Sequence, residues 1–382
     1  MAEVSAAPSL QGRRIGLLTD WAWNRGGGVS EAVRMQAEFI TDAGGEAIIF
    51  ALADPRSPSD PTEHRGVPIS LFPISGSARF GFAPRLLPGL IASRLDLVHL
   101  HGIWAYPARA GLRWAKVTGK PYMVSPHGML DPWLMARGRV QKALARLAYV
   151  DGNLRSATAL HALTATEAAD IRHECGRQDS IVIPNAGPSA QPAPVSSRPS
   201  HVLYIGRIHP KKNLGALIEG WSRAQRGPDW RLTIAGWGAD ADVAELKGQI
   251  AAAPPSITFA GPVFGDAKQA LLRGARYMIL PSLSEGLPMA ILEGWATGTP
   301  ALMTSRCNLP DSFAAGAAID CGLSPDSIRQ ALELALNRGA AEWLAMAKAA
   351  HGLATGPFSA DVISSRWAQT YEGVLSMHSQ AR

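Results

Sequence analysis

LPSLSEGLPMAILEGWATGTPAL, running from Leu280 to Leu302, decides the fold. Tyr277 to Leu280 reads as a short apolar strand. Pro281, Ser282, Ser284, Glu285 and Gly286 form a turn. Met289 to Thr297 reads as a helix that opens behind Pro288 and closes at Gly298, proline at a first turn and glycine just past a last one. Pro300 leads into another strand from Ala301. The unit is strand, tight loop, helix, strand. The first amides of such a helix lack intrahelical partners and carry the positive end of its dipole, which suits a phosphate. Two carboxylates bracket that place. Glu285 stands in the loop, and Glu293 lies about one and a half turns beyond Pro288 at roughly 3.6 residues per turn. A carboxylate repels a phosphate, so both should face hydroxyls or cations. Together these residues describe a pocket for a ligand with an anionic middle and hydroxylated ends, such as a nucleotide-sugar.

The same alternation runs through the chain. Ile15–Leu18, Ala47–Phe50, Leu97–Leu100, Tyr122–Val124, Ala159–Ala162 and Ile181–Ile183 read as strands, with amphipathic stretches such as Val29–Asp42 and Ala108–Thr118 between them. A second series starts at Val202–Ile205 and continues with Leu232–Ala235, Ile257–Phe259, Tyr277–Leu280, Ala301–Met303 and Ala317–Ile319. That order predicts an α/β protein with parallel sheets covered by helices. A length of 382 residues suits two domains. Residues 185–200, NAGPSAQPAPVSSRPS, are rich in Pro and Ser without periodicity and read as a linker. The expected division is 1–184, the linker 185–200, 201–356, and a helical pattern over 357–382 that carries Trp367 and Tyr371. Two doubly wound domains with a cleft between them follow, and ligands of such sheets sit at the carboxyl ends of the strands.

Composition narrows the classes. Hydrophobic residues make up 47% of the chain, as in a soluble protein. No run reaches the roughly 18 apolar residues of a spanning helix, and the first residues hold no apolar core of signal-peptide length. Cys175, Cys307 and Cys321 form no close pair and no metal spacing, so a reduced, cytoplasmic setting is expected. A net charge of +6 favours an anionic ligand or surface. No nucleic-acid motif is present, so nucleic acid is not an expected partner.

The other motifs follow strands. After Ile15–Leu18 come Gly26, Gly27 and Gly28, where backbone can approach a phosphate or simply make a flexible turn. In DLVHLHGIWAYP, His99 and His101 share a face if the strand runs on through His101. They could serve a metal, though no further ligand stands nearby, or be buried structural histidines. In SPHGMLDPW, His127 sits on a tight turn at a strand's carboxyl end. Arg137, Arg139, Lys142, Arg146 and Arg155 then interleave with Leu134, Leu144, Leu147 and Tyr149, either as a solvated helix face or as a basic face for an anionic membrane surface. In the second half, Val202–Ile205 is followed by Gly206, Arg207 and Lys212. The two cations are five residues apart across a turn, close enough to clamp one diphosphate. Gly236, Trp237 and Gly238 end the next strand. Asp240 and Asp242 begin a helix, where acids are expected as dipole partners, although an Asp-x-Asp pair can also hold a metal.

Glu285 and Glu293, with Pro-Ser before and Gly-Thr-Pro after, resemble the signature of the family 4, or group 1, retaining glycosyltransferases. The resemblance covers nearly the whole chain and is most specific in the second half. It implies a GT-B fold, two facing Rossmann-like domains with the nucleotide-sugar donor on the second and the acceptor mainly on the first. It also implies roles. Glu285 and His127 would lie against the donor sugar, and Glu293 would hold the ribose hydroxyls. Arg207 and Lys212, with Gly206, would hold the diphosphate, which Gly27 and Gly28 would face. Gly236 and Val263, in the Gly261-Pro262-Val263 turn, would border the nucleotide, with Gly286, Leu287 and Pro288 at the helix start. The last helix would cross back onto the first domain. HGIWAYP and SPHGMLDPW resemble a subgroup linked with bacterial exopolysaccharide, capsule or lipopolysaccharide assembly.

A glycosyl donor leaves behind a nucleoside diphosphate, so charge grows on the β-phosphate as its bond breaks. Arg207, Lys212 and the amides near Gly286 and Leu287 would stabilise that charge. No metal and no cofactor is then expected beyond the donor itself. The acceptor would be a glycan or lipid-linked glycan met at the cytoplasmic face. A nucleotide-sugar epimerase and a non-catalytic nucleotide-sugar-binding protein are the competing readings. Loss of Glu285, Arg207, Lys212 or His127 would favour the latter, and all four are present.

Overall fold

The computed structural model describes residues 9–23, 27–54, 61–78, 80–136, 138–188 and 198–380. The chain divides into two compact units, Met1–Asn185 with Asp361–Arg382, and Ala186–Ala360.

The first unit is built on eight strands: β1 (Arg14–Thr19), β2 (Glu46–Leu52), β3 (Glu63–His64), β4 (Val67–Phe72), β5 (Leu97–His101), β6 (Tyr122–Ser125), β7 (Ala159–Ala162) and β8 (Ile181–Val182). They lie in the order β3-β4-β2-β1-β5-β6-β7-β8. All neighbours are parallel except the edge hairpin β3–β4. Continuous apolar runs suit such strands because helices cover both faces. Ile15, Leu17, Leu18, Leu97, Val98 and Leu100 are fully buried. The sequence reading missed β3 and β4, since Pro68 and Pro73 interrupt the stretch that carries them. Pro68 is tolerated because the pairing of β4 with β2 starts only at Ile69.

The final helix, Ala360–Gln380, belongs with this unit. Tyr371 and Trp367 are buried. The Tyr371 hydroxyl lies 2.8 Å from His99 Nδ1, and the Trp367 ring centroid lies 4.6 Å from that of His161.

The second unit holds β9 (His201–Ile205), β10 (Arg231–Ala235), β11 (Ile257–Gly261), β12 (Tyr277–Leu280), β13 (Ala301–Met303) and β14 (Ala318–Asp320). Their order is β11-β10-β9-β12-β13-β14, all parallel. Of the expected linker, residues 189–197 lie outside the described residues. Its last part is no spacer. Arg198 is buried, with a guanidinium nitrogen 2.7 Å from Thr299 Oγ1 and 3.0 Å from the Ala275 carbonyl. At the other end, the Gly187 amide donates to the Phe358 carbonyl at 2.7 Å.

Candidate active site

In the second unit β9 and β12 are neighbours, with Tyr277 opposite Val202 and Met278 opposite Leu203. The loops leaving their carboxyl ends therefore adjoin. The first loop is fixed by close backbone contact. Gly206 donates its amide to the Ala235 carbonyl at 3.1 Å. A Cβ on Gly236, whose φ is +155°, would lie 1.8 Å from the Gly206 carbonyl oxygen, so only glycine fits there. The Tyr204 hydroxyl donates to the Arg207 carbonyl at 2.9 Å. This leaves the Arg207 side chain exposed. A single 3-10 turn, Pro210–Lys212, closes with Asn213 in the left-handed region.

The second loop docks on that turn, Leu283 donating its amide to the Lys211 carbonyl at 2.9 Å. The Lys212 ammonium forms an ion pair with the Glu285 carboxylate, whose side chain is 9% exposed. Ser282 Oγ donates to the same carboxylate oxygen at 2.6 Å. The Glu285 amide donates to the Arg306 carbonyl at 3.0 Å, and Asn308 Nδ2 donates to the Glu285 carbonyl at 2.6 Å. Among the described residues the amides of Gly286 and Leu287 meet no acceptor. They stand just ahead of helix Met289–Ala296, with Pro288 at its N-cap.

Glu293, on that helix, is held by Lys268 at 2.6 Å. Lys268 comes from helix Gly265–Gly274, which follows the turn containing Val263. Trp237 and Phe264 are exposed beside one another, their ring centroids 5.7 Å apart. Asp240 and Asp242 occupy the first turn of helix Asp240–Ala251, and among the described residues no group of three or more His, Cys, Asp or Glu could hold a metal ion.

The structure thus joins Lys212 to Glu285 directly, places Arg207 on the same turn without contact to either, and gives Glu293 a cationic partner. Lys268 and Asn308 were missed by the sequence reading, because each meets its partner only through the fold; Ser282, read only as a turn residue, reaches Glu285 three residues on in the same loop.

In the first unit, His127 opens the turn after β6 with φ 55°, followed by Gly128 at φ 71°. Glu167 clamps this turn. Its carboxylate accepts from the Gly128 amide at 2.5 Å and from the Leu163 amide at 2.7 Å. Burial pushes the Glu167 carboxyl up to about 7, against the pull of those two amides. Glu167 is the third residue after the N-cap Thr164, whose Oγ1 accepts from the Glu167 amide at 3.1 Å. That Thr-x-x-Glu spacing was the signal available in the sequence.

His127 Nε2 lies 2.9 Å from His101 Nδ1. His99 and His101 do share a face, their ring centroids 4.2 Å apart. Both are buried, and each hydrogen-bonds another side chain. His99 Nε2 meets Ser125 Oγ at 2.6 Å, Ser125 Oγ meets His161 Nδ1 at 2.7 Å, and His161 Nε2 donates to the Ile183 carbonyl at 2.8 Å. Burial pushes His127 down to about 3, His161 to about 4, and His99 and His101 well below the usual range, so all four are neutral near pH 7.

Of the glycine loop, Gly26 lies outside the described residues. Gly27, at φ 56°, is the N-cap of helix Gly28–Asp42, and side chains at Gly27 or Gly28 would meet open space. Of the basic stretch, Arg137 also lies outside the described residues. Arg146 is bound within the unit, pairing with Asp151 at 2.8 Å and with Glu174. The Lys142 ammonium donates to the Leu134 carbonyl and lies 5.3 Å from the Trp104 ring centroid. Val140, Leu144 and Leu147 project outward, Leu147 at 87% exposure.

Two family models match. The one described as "Glycosyl transferases group 1" covers residues 199–338, and the "Glycosyl transferase 4-like domain" covers residues 27–186. The chain is 28% identical to a GDP-mannose:cellobiosyl-diphosphopolyprenol alpha-mannosyltransferase of Xanthomonas oryzae over 62% of either chain, so the match spans under two thirds of that relative. It is 26% identical to a phosphatidyl-myo-inositol mannosyltransferase of Mycobacterium leprae over 75% of this chain and 77% of that one. Among solved structures, Anabaena Alr3699/HepE in complex with UDP and glucose superposes with a TM-score of 0.76 at 16% identity, over 94% of this chain and 100% of that one. Sucrose-phosphate synthase from Thermosynechococcus elongatus gives 0.77 at 17%, over 96% and 100%. The two parallel-sheet units are those of the GT-B fold.

Proposed function

Since the chain belongs to the group 1 glycosyltransferases, we propose that it moves a sugar from a nucleotide-diphosphate-sugar to a hydroxyl of a glycan or lipid-linked acceptor, with retention of anomeric configuration and without a metal. One observation carries this reading: the Lys212–Glu285 pair at the foot of helix Met289–Ala296, beside the unpaired amides of Gly286 and Leu287. The diphosphate lies against those amides, Lys212 and Arg207, and the growing charge on the leaving phosphate is met by groups already in place. In the second unit the sugar lies against Glu285. Held neutral, His127 can hydrogen-bond a sugar oxygen. The ribose diol donates hydrogen bonds to the Glu293 carboxylate. The leaving phosphate accepts the proton of the attacking hydroxyl, since this arrangement includes no separate base. Two relatives are named for a diphosphopolyprenol and a phosphatidylinositol acceptor, which supports a lipid-linked acceptor in surface polysaccharide assembly. Among the described residues no helix is long and apolar enough to cross a membrane. The helix face with Arg139, Lys142, Val140, Leu144 and Leu147 would then rest on the anionic inner leaflet.

Calorimetric titration with UDP, GDP and their sugars tests the donor assignment. At least one nucleotide should bind, and Arg207→Ala should weaken it. Failure of every nucleotide to bind the wild type would overturn the reading.

A further inference from the structure

We infer that the carboxylate of Asp20 receives hydroxyl groups of a neutral polyol, and thereby selects a sugar acceptor over a phosphorylated one. This rests on the transferase reading above, because it names the acceptor chemistry of that reaction.

β1 ends at Thr19, which pairs with His101 at the end of β5, so Asp20 and Gly102 leave the sheet at neighbouring positions. The main chain of Asp20 is anchored, its carbonyl accepting from the Leu52 amide at 3.0 Å. Its carboxylate is not anchored. Oδ2 lies 3.8 Å from the point that a Cβ on Gly102 would occupy, and Met129 Cε lies 3.3 Å from the same point. Among the described residues no hydrogen bond or ion pair reaches the Asp20 carboxylate, although the residue is only partly accessible. Desolvation pushes its carboxyl up to about 7. On the neighbouring strand end the histidine before Gly102 is enclosed. His101 is buried and holds His127 through Nδ1, but its Nε2 meets no partner.

Leaving a polar group dry and unpaired is unfavourable. Asp20 is such a group, at a strand end whose backbone is otherwise satisfied. A ligand hydroxyl supplies the donor it lacks, its O–H donating to the carboxylate. A phosphate brings like charge to Asp20 and is excluded. A metal ion would need further ligands, and the described residues supply no such group. Tyr149, whose hydroxyl donates to the Trp104 carbonyl at 2.6 Å, feels the charge of Asp20, which places it in the same neighbourhood.

The ionised carboxylate is the better acceptor, so hydroxyl binding strengthens as pH rises through about 7. His101 and His127 are pushed well below that window by burial, and Tyr149, which Arg109 also faces, is raised. Glu167, behind the His127 turn, titrates in the same window. Comparison with Asp20→Asn separates the two.

The test is saturation-transfer NMR on the full chain. Methyl α-mannopyranoside and methyl β-glucopyranoside are the neutral probes, and myo-inositol 1-phosphate is the anionic one. At least one glycoside should bind wild type, more tightly at higher pH. Asp20→Asn should bind it about tenfold or more weakly, as expected for loss of a charge-assisted hydrogen bond, with a flattened pH response and cooperative thermal unfolding retained. Equal binding by Asp20→Asn, binding of neither glycoside, or stronger binding of the inositol phosphate overturns the inference. Nucleotide titration of the same samples keeps the two proposals apart. Absence of nucleotide binding counts against the donor assignment, whereas retained nucleotide binding with unaltered glycoside binding in Asp20→Asn counts against Asp20 alone.

Discussion

Lys212 and Glu285 stand 73 residues apart in the chain and share an ion pair where the loops after β9 and β12 meet. The cation expected at a diphosphate and the carboxylate expected at a sugar are thus held against one another, with Ser282 as a third partner. The pair fixes Glu285 before any ligand arrives, and a donor must share Lys212 with it.

Arg207 and Lys212 should therefore differ when removed. Arg207→Ala takes away an exposed cation, so donor binding should weaken with little change in thermal stability. Lys212→Ala also strands a buried carboxylate, which costs about 1–3 kcal/mol in folding. The sequence alone suggests intact folding for both variants. Thermal unfolding beside calorimetric titration checks this, and equal midpoints for the two variants would show that the pair contributes nothing to the fold.

Glu293 is paired with Lys268, which fixes its carboxylate on the helix face. Glu293→Gln should weaken free nucleoside diphosphate as much as the full donor, because the ribose belongs to both. Glu285→Gln should impair transfer more than nucleotide binding. The reverse ranking in calorimetry would mean that the two carboxylates have exchanged roles.

The fold was legible where strands are continuous apolar runs. Ala159–Ala162, Tyr277–Leu280 and Ala301–Met303 were read to the residue. It was not legible at β4, where VPISLF lies between turn residues and carries a proline. Within the site, motif positions were visible but partners were not. Nothing local ties Lys268 to Glu293, or Glu167 to the amide of Gly128. Register and loop packing make those contacts. The reading of Arg137 to Arg155 as uniformly available bases failed at Arg146, because Asp151 and Glu174 are brought to it by a turn of π-helix at Arg146–Val150 and by a separate helix.

The buried histidines make a prediction about acid. Each is neutral in the fold, whereas an unfolded histidine takes a proton near pH 6.5. The unfolded state therefore binds more protons as pH falls, and stability is lost from about 6.5 down towards the folded values of about 4 for His161 and about 3 for His127. Asp20 and Glu167 act oppositely. Their raised carboxyls contribute stability that is full below about 4 and is lost as pH rises through about 7. Asp20→Asn should then lose thermal stability more steeply between pH 7 and pH 5, by up to roughly 1.4 kcal/mol per pH unit. Parallel slopes for variant and wild type would contradict this, as would imidazolium signals from the four histidines near pH 5.

Docking of the Arg139–Ser156 region on a membrane now rests on fewer cations. Arg139 and Arg155 remain, at about 1 kcal/mol each on an anionic surface, since Lys142 is held by the Leu134 carbonyl and the Trp104 ring; they are joined by exposed Val140, Leu144 and Leu147. Sedimentation with anionic liposomes should carry the protein down at low salt, and Leu144→Ser with Leu147→Ser should reduce it. Protein that stays in the supernatant at low salt would mean that the acceptor is met in solution.

The most direct measurement is NMR of the products when the wild type is incubated with UDP- and GDP-sugars and a glycoside acceptor in EDTA. The account predicts release of nucleoside diphosphate, a product with the anomeric configuration of the donor, no effect of the chelator, and strong loss of turnover in Arg207→Ala. Inverted product, or turnover that returns only when magnesium or manganese is restored, would contradict the leaving-group stabilisation assigned to Arg207, Lys212 and the amides of Gly286 and Leu287.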